Sequence, residues 1–95
     1  MEVQDIDAPY VEVFSGAHCG YCHRAKALLT RRGLRYREVD VASTEGRAEM
    51  ASRLPHARTI PQIFIGGRHI GGCDDLEQLD AAGGLGLVEL QGSLR

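Results

Sequence analysis

Nearly every residue from Tyr10 to Phe14 is aromatic or β-branched, and Ser15-Gly16 interrupts the run. A short apolar segment of this kind predicts a buried strand. Further on, Cys22, Ala25, Leu28 and Leu29 recur at helical spacing, with His23, Arg24, Lys26 and Arg31 on the opposite side and Gly33 as a stop. That pattern predicts an amphipathic helix from about Cys22 to Arg32. Arg35 to Val41 alternates, with Tyr36, Val39 and Val41 as its apolar members, and predicts a second strand. Ser43-Thr44 then offers a helix N-cap with Glu45 in the first turn. The second helix should run from about Thr44 to Leu54, with Ala48, Ala51 and Leu54 inward and Gly46 as a local cost, until Pro55 ends it.

After Pro61, Gln62-Ile63-Phe64-Ile65 and Arg68-His69-Ile70 flank Gly66-Gly67, which predicts a hairpin about a two-residue glycine turn. Gly71-Gly72 leads into Cys73-Asp74-Asp75, whose acids suit the positive end of a helix continuing through Leu76 and Leu79 to Gly83-Gly84. Leu87, Val88 and Leu90 are expected to cover a core edge as a short final helix. The order β-α-β-α-β-β-α predicts a layered α/β sandwich. Its first two strands pair in parallel across a helical crossover, and the hairpin adds antiparallel strands.

Composition narrows what such a sandwich does. The chain has 95 residues, 43% hydrophobic and 25% charged, which suffices for one domain with a small core. The core is expected to span residues 10–85, with flexible ends at 1–8 and 92–95. A net charge of −2 gives no surplus of positive charge for a nucleic acid or an anionic membrane, so neither is an expected partner. Three cysteines are odd in number and too few for a secreted disulfide scaffold. They are better explained as reactive thiols or metal ligands in a reducing compartment. Residues Met1 to Pro9 are acidic and polar, without the basic start and apolar run of a signal peptide, and a cytoplasmic location is expected.

Cys19-Gly20-Tyr21-Cys22 carries the strongest chemical signal, because it lies where a strand has ended and a helix begins. A thiol at that position meets free backbone N–H groups and the positive end of the helix dipole, both of which favour a thiolate. Cys19 has this place, and Cys22 lies one turn further in, within reach of a disulfide or of a mixed disulfide on Cys19. A zinc site would need a second closely spaced ligand pair, and Cys73 with His18, His23, His56 and His69 does not form one. His69, in a short strand, is expected to be structural.

Three blocks in order, Cys19 to Leu29, Thr59-Ile60-Pro61-Gln62-Ile63-Phe64-Ile65 and Gly71-Gly72-Cys73-Asp74-Asp75-Leu76, resemble a glutaredoxin of the bacterial dithiol type. The resemblance covers Tyr10 to about Leu85. It implies a thioredoxin fold, a four-stranded mixed sheet flanked by helices. It also implies a glutathione-dependent thiol–disulfide oxidoreductase with Cys19 as nucleophile and Cys22 as resolving thiol. The expected substrates are glutathionylated or disulfide-containing proteins, ribonucleotide reductase being one family substrate.

From sequence alone an X-Pro bond is expected to be trans. The resemblance reverses this for Pro61, implying a cis bond facing the first cysteine, with Ile60 pairing through its backbone with glutathione. Further glutathione contacts implied for this chain are Tyr21 as groove wall, Thr59, and the amides of Gly72 and Cys73 on the γ-glutamyl carboxylate. Asp74 would hold the ammonium and Arg47, in the second helix, the glycyl carboxylate. The family's usual lysine three residues before the first cysteine is replaced by Gly16, and His18 beside Cys19 is a candidate modulator. No resident metal is expected, and the protein is expected to be a monomer. The alternative is a dimer holding a [2Fe–2S] cluster on Cys19 of each subunit and two glutathiones, which Gly20, in place of proline, keeps open.

Overall fold

Residues 11–86 are described by the computed structural model. β1 (Val11–Ser15), α1 (Gly20–Arg31), β2 (Tyr36–Asp40), α2 (Thr44–Arg53), β3 (Gln62–Ile65), β4 (Arg68–Gly71) and α3 (Cys73–Ala81) follow in chain order. Within a residue or two these are the elements that the apolar periodicity predicts. Residues 84–86 are helical as well and bury Leu85. Leu87, Val88 and Leu90, and the ends expected to be flexible, lie outside the described residues.

The sheet order is β2-β1-β3-β4. β1 runs parallel to β2, with Val13 opposite Glu38, and antiparallel to β3, with Val13 opposite Ile63. β3 and β4 form the hairpin, in which Gly66 and Gly67 both take positive φ (60° and 82°). A two-residue turn with that backbone matches the twist of the strands it joins, and glycine adopts it without a steric penalty.

Each face of the sheet buries its own cluster. Val11, Val13, Ile63 and Ile65 pack against Ala25, Leu28 and Leu29 of α1 and Cys73 and Leu76 of α3. On the other face Phe14, Val39 and Phe64 pack against Met50 and Leu54. The two phenyl rings meet edge to face at 5.7 Å, an arrangement that ring quadrupoles favour.

The inward face of α2 differs from the expectation. Leu54 packs inward as expected, but Ala48 and Ala51 are exposed, and the helix turns Gly46 and Met50 toward the sheet in their place. Close approach decides the rotation. A Cβ on Gly46 would lie 2.0 Å from the Asp40 carbonyl oxygen, so α2 touches the end of β2 with bare backbone. The Ser43 hydroxyl caps the helix there, accepting from Gly46 N–H at 2.9 Å.

Over the aromatic cluster lies a four-residue charge network. Arg53 bonds Glu12 at 2.8 Å and Glu49 at 3.3 Å, while Arg37 bonds Glu12 at 2.9 Å and also Glu49. The Arg53 guanidinium sits 3.9 Å above the Phe64 ring. Its hydrogen bond to Glu12 is the main cause holding that carboxyl below its ordinary value of 4.5; partial burial opposes it, and Arg37 adds to it.

A carboxyl depressed in the folded state stabilises the fold above its unfolded pKa and loses that contribution as pH falls through the folded value. Glu12→Gln is therefore expected to cost about 1 kcal/mol at neutral pH and nearly nothing once Glu12 is protonated, well below pH 4.5. Urea midpoints of both proteins at the two pH values check this. A cost that persists undiminished in acid would show that the ion pairs are not its source.

Candidate active site

β1 ends in a loop that turns sharply before α1, with His18 in the left-handed region at φ 62°. A non-glycine residue seldom adopts that conformation. Here it delivers Cys19 to the N-cap of α1, with an extended backbone and its Sγ accepting from Cys22 N–H at 3.1 Å. An amide aimed at sulfur at a helix start stabilises negative charge on that sulfur.

Cys19 is half-buried and Cys22 has no exposure; both are free thiols. Burial, then the Cys19 thiol beside it, pushes Cys22 up to about 11, with the Gly16 backbone amide and the Lys26 charge pulling the other way. The paired thiols are thereby unequal. One is capped and accessible, the other sealed and held protonated.

The second block comes against the first from 41 residues away. The Ile60–Pro61 bond is cis, as the resemblance implies. The Cys19 thiol points at the Ile60 carbonyl, 3.8 Å from it. Gln62, a residue given no site role by its sequence, secures this loop. Its buried amide donates to the Thr59 carbonyl at 3.0 Å and hydroxyl at 3.2 Å, and its carbonyl oxygen meets His69 Nε2 at 2.7 Å. The His69 ring also packs on Phe64 at 5.1 Å, so this histidine is structural, as expected. Only its position in β3 makes Gln62 inward-facing, and a lone glutamine in an apolar strand was the available sign.

The third block meets the second through glycine. A Cβ on Gly72 would lie 3.5 Å from the Pro61 carbonyl oxygen, which brings the start of α3 beside the cis-proline loop. Gly71 takes φ 125°, and a Cβ there would strike the Asp75 carboxylate at 2.2 Å. Asp75 accepts from the Gly72 N–H at 3.0 Å. The Gly72 amide is therefore bonded within the chain, and α3 proper begins one residue later, at Cys73. Cys73 is buried in the core, its thiol 3.6 Å from Glu77 and raised by burial first and by the Glu77 charge second.

Tyr21 is 57% exposed, the large hydrophobic residue left uncovered among those described. Arg24 lies 5.5 Å from its ring centroid and bonds Glu77 at 2.6 Å, linking α1 to α3 beside the thiols. Arg47 is exposed, with its guanidinium against the Val41 and Ala42 carbonyls at 3.4 and 3.3 Å. At Gly16 a Cβ would lie 3.0 Å from Ile60 Cδ1, so the isoleucine methyl occupies the space over that position. No group of three or more His, Cys, Asp or Glu side chains among the described residues could hold a metal ion. With Cys22 and Cys73 buried, an iron–sulfur cluster would find one accessible thiolate, Cys19, in this chain.

A buried thiol paired with a helix-capping one, facing a cis-proline on a four-stranded mixed sheet, defines a thiol–disulfide oxidoreductase of thioredoxin architecture. The model of the family described as Glutaredoxin matches residues 11–70. "Glutaredoxin 3" of Escherichia coli K12 is 47% identical over 75 residues, which cover 79% of this chain and 90% of that protein. A "Glutaredoxin" of Pseudomonas aeruginosa is 47% identical over 78 residues, covering 81% and 92%. Among solved structures, the buckwheat glutaredoxin–glutathione complex superposes with a TM-score of 0.79 at 35% identity, covering 95% of this chain and 84% of that one. The chain belongs to the glutaredoxin family.

Proposed function

We propose that this oxidoreductase is glutathione-dependent and reduces protein–glutathione mixed disulfides and protein disulfides, with Cys19 as nucleophile and Cys22 as resolving thiol. The observation that carries the proposal is the asymmetry of the pair: Cys19 Sγ accepts the Cys22 amide at 3.1 Å and is half-exposed, while Cys22 is sealed behind it. Cys19 thiolate attacks a substrate disulfide and expels the substrate thiol. Either external glutathione attacks the new disulfide at Cys19, or Cys22 does, closing the Cys19–Cys22 disulfide.

The buckwheat relative was crystallised with glutathione, which supports the same ligand here. In this proposal the Ile60 backbone pairs with the cysteinyl unit in the manner of an added strand, and Thr59 and Pro61 shape the edge. Tyr21 walls the groove. The Cys73 amide, at the start of α3, receives the γ-glutamyl carboxylate and Asp74 its ammonium, while Gly72 contributes closeness of approach. Arg47 takes the glycyl carboxylate. The working protein is a cytoplasmic monomer whose partners are glutathionylated and disulfide-bonded proteins, ribonucleotide reductase among the candidates. No helix among the described residues is long and apolar enough to cross a membrane.

The test uses protein purified anaerobically with glutathione, and Cys22→Ser beside it. The wild type should be colourless and reduce both substrate classes. Cys22→Ser should retain mixed-disulfide reduction within a few-fold and lose about tenfold or more of protein-disulfide reduction, which needs a second thiol. Equal loss of both activities would remove the division of labour. A coloured, dimeric and inactive sample that gains activity as its colour is lost would replace the proposal with iron–sulfur storage.

A further inference from the structure

A polar cluster adjoins Cys22 that the proposed cycle does not yet use. Ser15, the last residue of β1 and only 1% exposed, donates its hydroxyl to Glu38 Oε2 at 2.5 Å. Lys26 Nζ donates to the same oxygen at 2.7 Å, with its side chain 20% exposed. Lys26 follows Cys22 by four positions, one helical turn on, so it flanks Cys22 along α1 and does not lie opposite it as the apolar pattern predicts. The next amide after Ser15, that of Gly16, bears on the Cys22 thiol. A cleft of about 490 Å³ opens over this cluster, lined by Gly16, His18, His23, Lys26, Glu38 and Asp40. Water thus reaches the ion pair beside a thiol that is itself sealed.

An ion pair that only fastened α1 to β2 would contribute little, because partly exposed pairs are weak. Its placement suggests another use. Cys22 must lose a proton to attack, and its burial resists this. The groups bearing on that proton are Cys19 at the cap of α1, the Gly16 amide and Lys26 on α1. Around Lys26 stand Glu38 and Tyr36 on β2, while His23, His18 and Asp40 line the cleft. Lys26 is the cation of this set that stands one helical turn from Cys22, where its charge favours the thiolate. Glu38 raises the Lys26 pKa, so the ammonium remains charged through the neutral range.

We propose that Lys26, held in place by Glu38 and Ser15, is a positioning residue for the resolving step, its ammonium favouring the Cys22 thiolate while that thiolate displaces the substrate sulfur from Cys19. The inference rests on Cys22 being the resolving thiol. In the step, Cys22 gives up its proton, its sulfur bonds to Cys19 Sγ, and the Cys19–substrate S–S bond breaks. The departing thiolate takes up a proton from water. The two cysteines are oxidised to a disulfide and the substrate half is reduced to a thiol, without another oxidant.

The experiment mixes reduced protein with one equivalent of the chromogenic disulfide 5,5′-dithiobis(2-nitrobenzoate) in a stopped-flow instrument, across neutral and alkaline pH. One coloured thiolate is released when Cys19 attacks and a second when Cys22 displaces the other half, so the two thiols are read separately and without glutathione. Lys26→Gln is expected to slow the second phase about tenfold at neutral pH and move its pH midpoint upward, leaving the first phase in place. Lys26→Arg should restore most of the rate. Glu38→Gln, which frees the ammonium from its counter-charge, should move the midpoint downward.

A fastening role predicts instead that Lys26→Gln and Glu38→Gln slow both phases together, and that result overturns the proposal. So does a Lys26→Gln second phase that superimposes on the wild type. A wild type with no second phase would overturn the assignment of Cys22 and this proposal together, whereas glutathione dependence would stand untouched by it. Should Lys26→Gln not fold, a Lys26→Arg second phase close to the wild type together with a downward midpoint shift in Glu38→Gln still decides the matter. No downward movement in Glu38→Gln counts against the charge.

Discussion

Cys19→Ser is expected to lower turnover of a glutathione mixed disulfide by about 10³-fold or more while leaving the thermal midpoint almost unchanged. The chemical loss follows from the nucleophile. A serine hydroxyl is not ionised near neutral pH, and neither remaining cysteine can substitute, since Cys22 and Cys73 are 0% and 4% exposed. The retained stability follows from the cap. Cys19 Sγ accepts the Cys22 amide at the start of α1, and serine is among the best residues for that bond. A coupled assay with glutathione and a glutathionylated peptide measures the first effect and circular dichroism on heating the second. Residual turnover within tenfold of the wild type would move the nucleophile elsewhere, whereas a large fall in midpoint would mean that the cysteine is structural.

The largest expected loss of stability falls at a glycine far from the thiols in sequence. Gly46→Ala places a Cβ where the Asp40 carbonyl oxygen would be 2.0 Å and the Ser43 hydroxyl 2.8 Å away, so either α2 moves off β2 or its N-cap opens. The helix-propensity gain of alanine over glycine, about 1 kcal/mol, is outweighed by the clash, for a net destabilisation of about 2–3 kcal/mol. In a domain of this size that corresponds to a midpoint lowered by roughly 10–20 °C. Gly20→Ala is the control, because a Cβ there meets nothing within 4 Å. If Gly46→Ala raised the midpoint, the contact between α2 and β2 would not be tight.

The contrast at α2 shows where periodicity stops being informative. Ala48, Ala51 and Leu54 make a plausible apolar stripe, and an alanine-based stripe is weak evidence because alanine is indifferent to burial. Gly46 looked like a defect on the same criterion. Its role depends on a carbonyl six residues earlier that approaches only when β2 and α2 dock. β1 and β3 were easier to foresee, since branched and aromatic residues fill them and both faces of the sheet are covered. The helical spacing of Cys22, Ala25, Leu28 and Leu29 likewise matches the buried side of α1.

The candidate site divides in the same way. Cys19 and Cys22 were legible because a Cys-x-x-Cys pair after a strand and before a helix has a local physical consequence, a capped thiol one turn from another. The glutathione residues were legible only through the resemblance of three separated blocks. The bonds of Gln62, of Arg24 and of the Ser15–Glu38–Lys26 cluster have no sequence signal, because a polar side chain acquires its partner through folding.

By itself the sequence determined the succession of strands and helices, the glycine turn, the thiol pair and the family, all of which follow from local backbone preference, apolar period or motif spacing. Tertiary structure alone decided which face α2 buries, that Asp75 uses the Gly72 amide, that Ile60 stands over Gly16, and which charged groups surround Cys22. These depend on groups far apart in the chain, or on which side of an element meets its neighbour. Interactions between such groups fall off over a few ångströms, so only the packed fold brings them within range.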